Sequence, residues 1–488
     1  MIEDLTLKSA AEMIKSGEIS STEITTYFLD KIEAVNPEIS AFIDVNREKV
    51  LNASQEADKL RSTDPESIKS KPLHGIPIPV KDLLAVKGEP LRCASKILKE
   101  FISPYDATSI ANLKAAGAIP MGRLNMDEFA MGSSNENSAF GVAKNPWDKS
   151  RVSGGSSGGS AASVSAGISL ASLGTDTGGS IRQPAAFCGC VGLKPTYGRV
   201  SRYGLVAFAS SFDQIGPIAK NVEDAGLLLH CIAGHDKRDS TSVPKPPDNA
   251  WLNIQDNIKG IKLGIPKEYR EHAIDQDVQK SWDDALKVFE EAGAEIIDVS
   301  LPHTEYAVAT YYILTTAEAS SNLARFEGIR YGARIEADTP FDLNCKTRGA
   351  GFGPEVKRRI ILGTYVLSSG YYDAYYVKAQ KARTLIRRDF ENVFNEVDAI
   401  ISPTTPSPAF PIGQKSKNPL EMYLSDIFTI SSNLAGNCGI SIPCGFSSNP
   451  KLPLGLQITG HTFREDKILN IAQAFQARTE WHKHSPKI

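Results

Sequence analysis

A chain of 488 residues that is 41% hydrophobic can bury one large core or about three ordinary ones. Lysine and arginine number 54 against 57 aspartates and glutamates, a net charge of −3, so charge implies neither a nucleic-acid surface nor contact with an anionic membrane. No apolar run of about 18 residues exists to span a bilayer, and the opening Met1-Ile2-Glu3-Asp4 has no basic region before an apolar one, so no secretory signal is expected.

Helices are expected first, over about residues 1–70. Ser21-Thr22-Glu23 offers caps, Ile24, Phe28 and Ile32 recur at helical spacing, and Pro37 is read as lying beyond the stop. Residues 51–62 read as a second helix. After Pro72 short apolar runs alternate with amphipathic helices. Ile76–Val80 reads as a strand whose ladder bonds Pro77 and Pro79 restrict. A helix over 106–116 ends before Gly117 and leads into a strand at Ala118–Met121. Ala161–Ser172 is uncharged and rich in small residues, and reads as a buried helix. Helices at Asp277–Ala292 and 466–479 and strands at Ala294–Val299, Asp398–Ser402, Gly439–Pro443 and Leu454–Ile458 complete the pattern. Such alternation predicts an α/β fold with one large sheet covered by helices on both faces. No repeat or long linker interrupts it, so residues 1–488 read as a single domain, with the Pro-rich stretch near 241–248 as a connection between two lobes.

The seven cysteines form no CxxC pair, and Cys188 and Cys190 are too close for a structural zinc site or an easy disulfide. Reduced, mostly buried thiols in a cytoplasmic protein are expected, with no metal.

Chemistry concentrates in two glycine turns and one lysine. Gly154-Gly155-Ser156 and Gly178-Gly179-Ser180 bracket a stretch with no charge from Val152 to Thr175. In isolation Gly-Gly-Ser-Ser-Gly-Gly-Ser160 could be a flexible linker, but linkers have polar flanks and this one enters a small-residue segment. Glycines let successive N–H groups converge, so the second turn can hold an oxyanion beside the Ser180 hydroxyl. Losing one such donor typically costs about 3–4 kcal/mol in the transition state. A serine hydroxyl requires a base. Lys81 qualifies only if neutral, which means lowering it from about 10.4 to near 7–8, and burial behind Ile76–Val80 pushes that way. The plain alternative is a surface lysine paired with Asp82. Gly154-Gly-Ser156-Ser-Gly158 also satisfies G-x-S-x-G, which would make Ser156 the nucleophile of an α/β-hydrolase. That reading needs a later histidine, and none from His230 to His484 sits in an obvious catalytic turn.

His74-Gly-Ile-Pro-Ile-Pro-Val-Lys81-Asp82, Gly154–Ser160 and Gly174-Thr-Asp-Thr-Gly-Gly-Ser-Ile-Arg-Gln-Pro184 resemble the three core motifs of the amidase signature family. The resemblance implies the amidase-signature fold and a Ser–cis-Ser–Lys triad. Ser180 would be the acyl-accepting nucleophile, Ser156 the bridging serine behind a cis Gly155–Ser156 bond, and Lys81 the base. The backbone N–H groups of Thr177, Gly178, Gly179 and Ser180 would form the oxyanion hole. Leu124–Ser134, Lys144–Asp148, Tyr197–Leu205, Glu355–Ile360 and Tyr371–Tyr376 are similar to the A-type branch of tRNA-dependent amidotransferases. By that resemblance the chain hydrolyses glutamine and supplies ammonia for amidating glutamate, or aspartate, mischarged on tRNA. It would work with B- and C-type partner subunits. ATP and Mg would sit on a partner, tRNA would be bound mainly there, and this chain would carry no cofactor. Arg359 would take the glutamine carboxylate and Asp426 its ammonium, with Tyr311, or less surely Tyr312, lining the pocket. A departure stands at Asn437-Cys438, where the branch commonly has Leu-Pro, and is expected to loosen a turn near the pocket. A stand-alone amidase for small amides and a non-catalytic assembly scaffold remain as alternatives.

Overall fold

The computed structural model describes residues 2–416 and 418–488. Its strands, in chain order, are β1 (Phe42–Asp44), β2 (Pro77–Lys81), β3 (Ile119–Leu124), β4 (Lys144–Asn145), β5 (Asp148–Val152), β6 (Ala171–Asp176), β7 (Val191–Lys194), β8 (Gln214–Ala219), β9 (Lys262–Pro266), β10 (Glu295–Val299), β11 (Ala399–Pro403), β12 (Cys438–Phe446) and β13 (Pro453–Gly460). Eleven of them form one mixed sheet in the order β1-β3-β2-β6-β8-β7-β12-β13-β11-β9-β10, and β4 and β5 pair separately. Every residue of β2, β6, β7, β8, β11 and β13 is buried. Continuous burial without alternation means both sheet faces are covered by helices, as the α/β pattern predicts. No helix among the described residues is long and apolar enough to cross a membrane.

Several boundaries differ from the periodicity reading, each for a physical reason. The second helix runs Ser21–Ile39 and is capped one residue earlier than expected, by Ser20, whose hydroxyl and Glu23 form a reciprocal capping box. Pro37 lies inside its last turn. The fully buried Ile39 and the Asn36 side chain, bonded to both N and O of Phe42, carry the helix past the proline. The next helix, Arg47–Thr63, begins four residues before the periodic stretch because Asn46 caps Lys49. Ala161–Ser172 is not one helix. The helix Gly158–Ser165 stops before Gly167 at φ +64, and the chain then enters β6. Residues 241–248 hold no helix or strand and lead from the Val222–Ile232 helix toward Asn249.

The topology brings the reactive groups together. β2 and β6 are parallel neighbours with Val80 opposite Leu173, so their carboxyl ends deliver Lys81 and Thr175 side by side. In sheets of this kind, sites form where the carboxyl ends of parallel strands open. Pro77 and Pro79 leave only that one register pair between β2 and β6.

Candidate active site

Lys81 ends β2 with no exposed surface. Its Nζ lies 2.8 Å from Ser156 Oγ, 2.9 Å from Ser157 Oγ and 2.8 Å from Thr175 Oγ1. Ser157 donates its own proton to the Thr175 carbonyl at 3.0 Å, so toward Lys81 it can only accept. A neutral amine fits this cage, with two N–H donors and one lone pair to receive a hydroxyl proton. Burial pushes the ammonium down to about 7, against the pull of the Asp127, Asp176 and Asp213 carboxylates. Asp82, the sequence neighbour that could have paired with Lys81, instead accepts from Arg123 Nε at 3.1 Å in a fully buried ion pair.

The peptide between Gly155 and Ser156 is cis. Three bonds join this turn to its surroundings: Gly155 N–H to Gln183 Oε1 at 2.9 Å, Ser157 N–H to the Ser180 carbonyl at 3.1 Å, and Asp127 N–H to the Ser156 carbonyl at 3.2 Å. A Cβ at Gly155 would collide with Asp127 Oδ2, so the close approach requires glycine. Lys81 Nζ is the one described partner of Ser156 Oγ, and no imidazole reaches it, which removes the α/β-hydrolase alternative.

Ser180 follows β6 on the turn opened by Asp176. Its Oγ has no partner among the described residues, and the residue keeps 7% of its surface exposed. The expected oxyanion donors are only partly free. Gly179 N–H donates to Asp176 Oδ1 at 2.9 Å, which takes it out of the set and leaves Thr177, Gly178 and Ser180 without a described acceptor. The cause is Asp176, which closes the turn on itself while its carboxylate receives Arg182 Nε and Nη2, each at 3.0 Å, and Asn433 Nδ2 at 2.8 Å. Burial alone would push this carboxyl up, yet Arg182, Lys194 and Asn433 hold it down at about 2. Asp213 accepts from Thr177 Oγ1 at 2.7 Å and from the backbone of Phe208 and Ala209, and burial pushes it up to about 7.

Opposite this turn lie the residues expected to meet the substrate. The Tyr311 ring packs against the second glycine turn, its hydroxyl 2.6 Å from where a Cβ on Gly178 would stand. Burial pushes its phenol up. Tyr312 instead stacks on Tyr423 with ring centroids 3.7 Å apart, and the Arg359 guanidinium lies 5.2 Å from its ring. Both tyrosines therefore face this region, in different places. Arg359 is 2% exposed and donates through Nε to Glu355 Oε1 at 2.8 Å, while its two terminal nitrogens meet no described acceptor. Burial opposes its charge, and Glu355 more than restores it. Asp426 receives the Ser133 hydroxyl on Oδ2, and its buried Oδ1 has no partner among the described residues. Burial pushes this carboxyl up to about 7. Thr429 ties Asp426 to the second glycine turn, donating to the Gly178 carbonyl at 2.6 Å. The region thus offers the two open terminal nitrogens of a guanidinium that is ion-paired through Nε, a carboxylate oxygen and a serine hydroxyl, none of which has a partner among the described residues.

The Asn437-Cys438 departure does not loosen a turn. Gly436 caps the helix Ile427–Ala435 at φ +82, Asn437 O accepts from buried Lys194, and Cys438 begins β12 with its thiol directed at the His461 carbonyl. Burial pushes that thiol up, away from thiolate chemistry. All seven cysteines are unpaired, six of them buried. Among the described residues no group of three or more His, Cys, Asp or Glu could hold a metal.

Periodicity and spacing missed Asp127, Ser133, Thr175, Asp213 and Glu355. Four of these carried a local signal. Asp127 and Ser133 lie inside the Leu124–Ser134 motif, Thr175 lies inside the Gly174–Pro184 motif, and Glu355 stands one helical turn before Arg359, the spacing at which side chains pair. Nothing local marks Asp213.

The comparisons with known proteins agree with this geometry. A family model for amidases matches residues 23–469. The A subunit of glutamyl-tRNA(Gln) amidotransferase from Desulfatibacillum aliphaticivorans is 55% identical over 488 residues, covering 100% of both chains. The crystal structure of the protein of that name from Thermotoga maritima superposes with a TM-score of 0.80 at 42% identity, covering 100% of this chain and 96% of that one. The peptide amidase of Stenotrophomonas maltophilia superposes at 0.82 with 27% identity, covering 99% and 98%. The chain therefore belongs to the amidase family and, within it, to the glutamyl-tRNA(Gln) amidotransferase A subunits.

Proposed function

We propose that this chain is the glutamine-hydrolysing subunit of a glutamyl-tRNA(Gln) amidotransferase, with Ser180 as nucleophile, Ser156 as proton relay and Lys81 as base. The observation that carries the reading is the buried amine: Lys81 Nζ has no exposed surface and lies 2.8 Å from Ser156 Oγ. Ser180 Oγ attacks the side-chain amide carbon of glutamine. Its proton passes to Ser156 Oγ as the Ser156 proton passes to Lys81 Nζ. The developing oxyanion takes the N–H groups of Thr177, Gly178 and Ser180. Collapse expels ammonia, with the proton returned through Ser156, and leaves a glutamyl ester on Ser180 that water hydrolyses to glutamate. Ser156 and Ser180 side chains share no hydrogen bond in this structure, and such contacts commonly tighten only on substrate binding.

Glutamine recognition follows from charge and shape. The open fork of Arg359 matches the α-carboxylate, because a guanidinium pairs bidentately with two oxygens. Asp426 Oδ1 receives the ammonium, and that cation restores the ionised form burial disfavours. Tyr311 and Tyr312 wall the pocket. Released ammonia serves a B-type subunit that holds ATP, Mg and the mischarged tRNA, with a C-type subunit completing the assembly. Full-length 55% identity to an amidotransferase of this kind, against 27% to a peptide amidase, supports this over a stand-alone amidase.

Glutamine-derived acyl-enzyme, trapped by acid quench and mapped by mass spectrometry, is expected on Ser180. A label on Ser156, or full turnover by Ser180→Ala, would sink the assignment.

A further inference from the structure

Glu128 is a buried carboxylate that the proposed reaction does not use. It is 2% exposed and follows Asp127, whose Oδ2 closes on Gly155 and whose carboxylate also accepts from the Asn135 N–H at 2.9 Å and the Asn137 N–H at 3.2 Å. The two neighbouring side chains serve opposite walls of the site. Glu128 Oε2 accepts from the Gly353 N–H at 2.8 Å, and its Oε1 receives the Ser95 hydroxyl, which also lies 3.3 Å from the Gly351 carbonyl. Gly353 is the N-cap of the helix Pro354–Val366 and has no side chain to cap with. A Cβ there would stand 2.4 Å from Glu128 Oε2, so a side chain at 353 displaces the carboxylate from the Gly353 N–H. The chain next turns sharply, with Phe129 at φ +50 and Ala130 at φ +61, a region non-glycine residues rarely occupy. That turn sends the Phe129 ring against Phe352, centroids 5.6 Å apart, beside the same cap. Glu355 and Arg359 lie on this helix, in its first two turns.

We infer that Glu128 is a positioning residue for substrate selection: with Phe129 it seats the start of the Pro354–Val366 helix and so sets where the Arg359 fork meets the substrate carboxylate, while Asp127 registers the same short segment against the serine turn. The inference rests on the reading of Arg359 given above. A helix released at its start rotates or slides by fractions of an ångström. A bidentate contact near its second turn loses geometry first, whereas Ser156, Ser180 and Lys81 lie on other elements.

Steady-state hydrolysis of glutamine is compared with that of a primary amide lacking the α-carboxylate, in wild type, Glu128→Ala, Glu128→Gln, Gly353→Ala and Arg359→Ala. Glu128→Ala and Gly353→Ala are expected to raise KM for glutamine about 10-fold or more, with kcat and the carboxylate-free amide changed by less than about 3-fold. Glu128→Gln keeps an acceptor oxygen for the Gly353 N–H and is expected to recover most of that loss. If Glu128→Ala does not fold, Gly353→Ala and Glu128→Gln carry the same readout. Equal losses on both substrates, or on kcat alone, overturn the inference. An Arg359→Ala that fails to select between the substrates removes the reading of Arg359 and this inference with it. A selective Arg359→Ala beside an unselective Glu128→Ala overturns the inference alone.

Discussion

Lys81 shows how one residue's chemistry depends on its surroundings. Its amine is lowered to about 7 by burial, so the base form grows as pH rises through that value. The kcat/KM for glutamine is expected to rise along an acid limb with a midpoint near pH 7, measured as ammonia release across pH 5.5–9. Lys81→Ala is expected to abolish acylation while circular dichroism and the unfolding midpoint stay close to wild type. Substantial neutral-pH turnover by that variant would exclude Lys81 as the base. Stability carries the same signature with a defined sign. The folded value lies below the unfolded one of about 10.4, so between the two the unfolded chain binds more protons and the contribution of Lys81 to stability increases with pH.

The glycine turns owe their shape to the elements behind them. The helix Arg182–Cys188 follows Ser180 directly, and Arg182 on its first turn is fully buried. Besides Asp176, it donates to Asn433 Oδ1 at 2.6 Å, Ser432 Oγ at 2.8 Å and Gln457 Oε1 at 2.6 Å, binding the turn to the helix Ile427–Ala435 and to β13. Removing it takes the ion-pair partner from the buried Asp176 carboxylate and leaves Lys194, Asn433 and backbone donors to hold it, a change that costs up to about 3–5 kcal/mol. Arg182→Ala is expected to lower the denaturation free energy by about that amount and to disorder the oxyanion turn, read by urea unfolding and by loss of acylation. A loss under about 1 kcal/mol would show that Asp176 is satisfied by Asn433 and backbone donors instead. At this scale the amino-acid pattern was legible where helical periodicity runs unbroken, as in Gln276–Glu291 and Glu465–Arg478. It misled where composition was uniform. Ala161–Ser172 reads as helix throughout because alanine and serine fit either state, whereas the helix ends at Ser165, the left-handed Gly167 opens a turn, and only Ala171 and Ser172 join the strand paired with β8.

For the whole molecule, an eleven-stranded sheet runs from β1 to β10, and the elements carrying Lys81, Ser180, Arg359 and Asp426 converge around the carboxyl ends of β2 and β6. The net charge of −3 gives the chain no strong overall field of either sign. Purified from its source cell, the chain is expected to bring down B- and C-type subunits, with glutaminase activity several-fold higher when ATP and mischarged tRNA are added. Recovery of a lone chain at full activity, unresponsive to both, would favour a stand-alone amidase.

What the amino-acid sequence determined by itself was which residues are candidates for the chemistry. Ser156, Ser180 and Lys81 announce themselves because glycine turns, an uncharged stretch and an apolar strand are local properties, legible over a few residues. Only the tertiary structure decided what those groups experience. It turned the Gly179 N–H onto Asp176, placed Thr175 and Ser157 around the amine, brought Asp213 to Thr177, and set Glu128 beneath a helix start 225 positions away. Desolvation and hydrogen-bond partners depend on every atom packed around a group, and most of those atoms arrive from distant chain when the sheet closes.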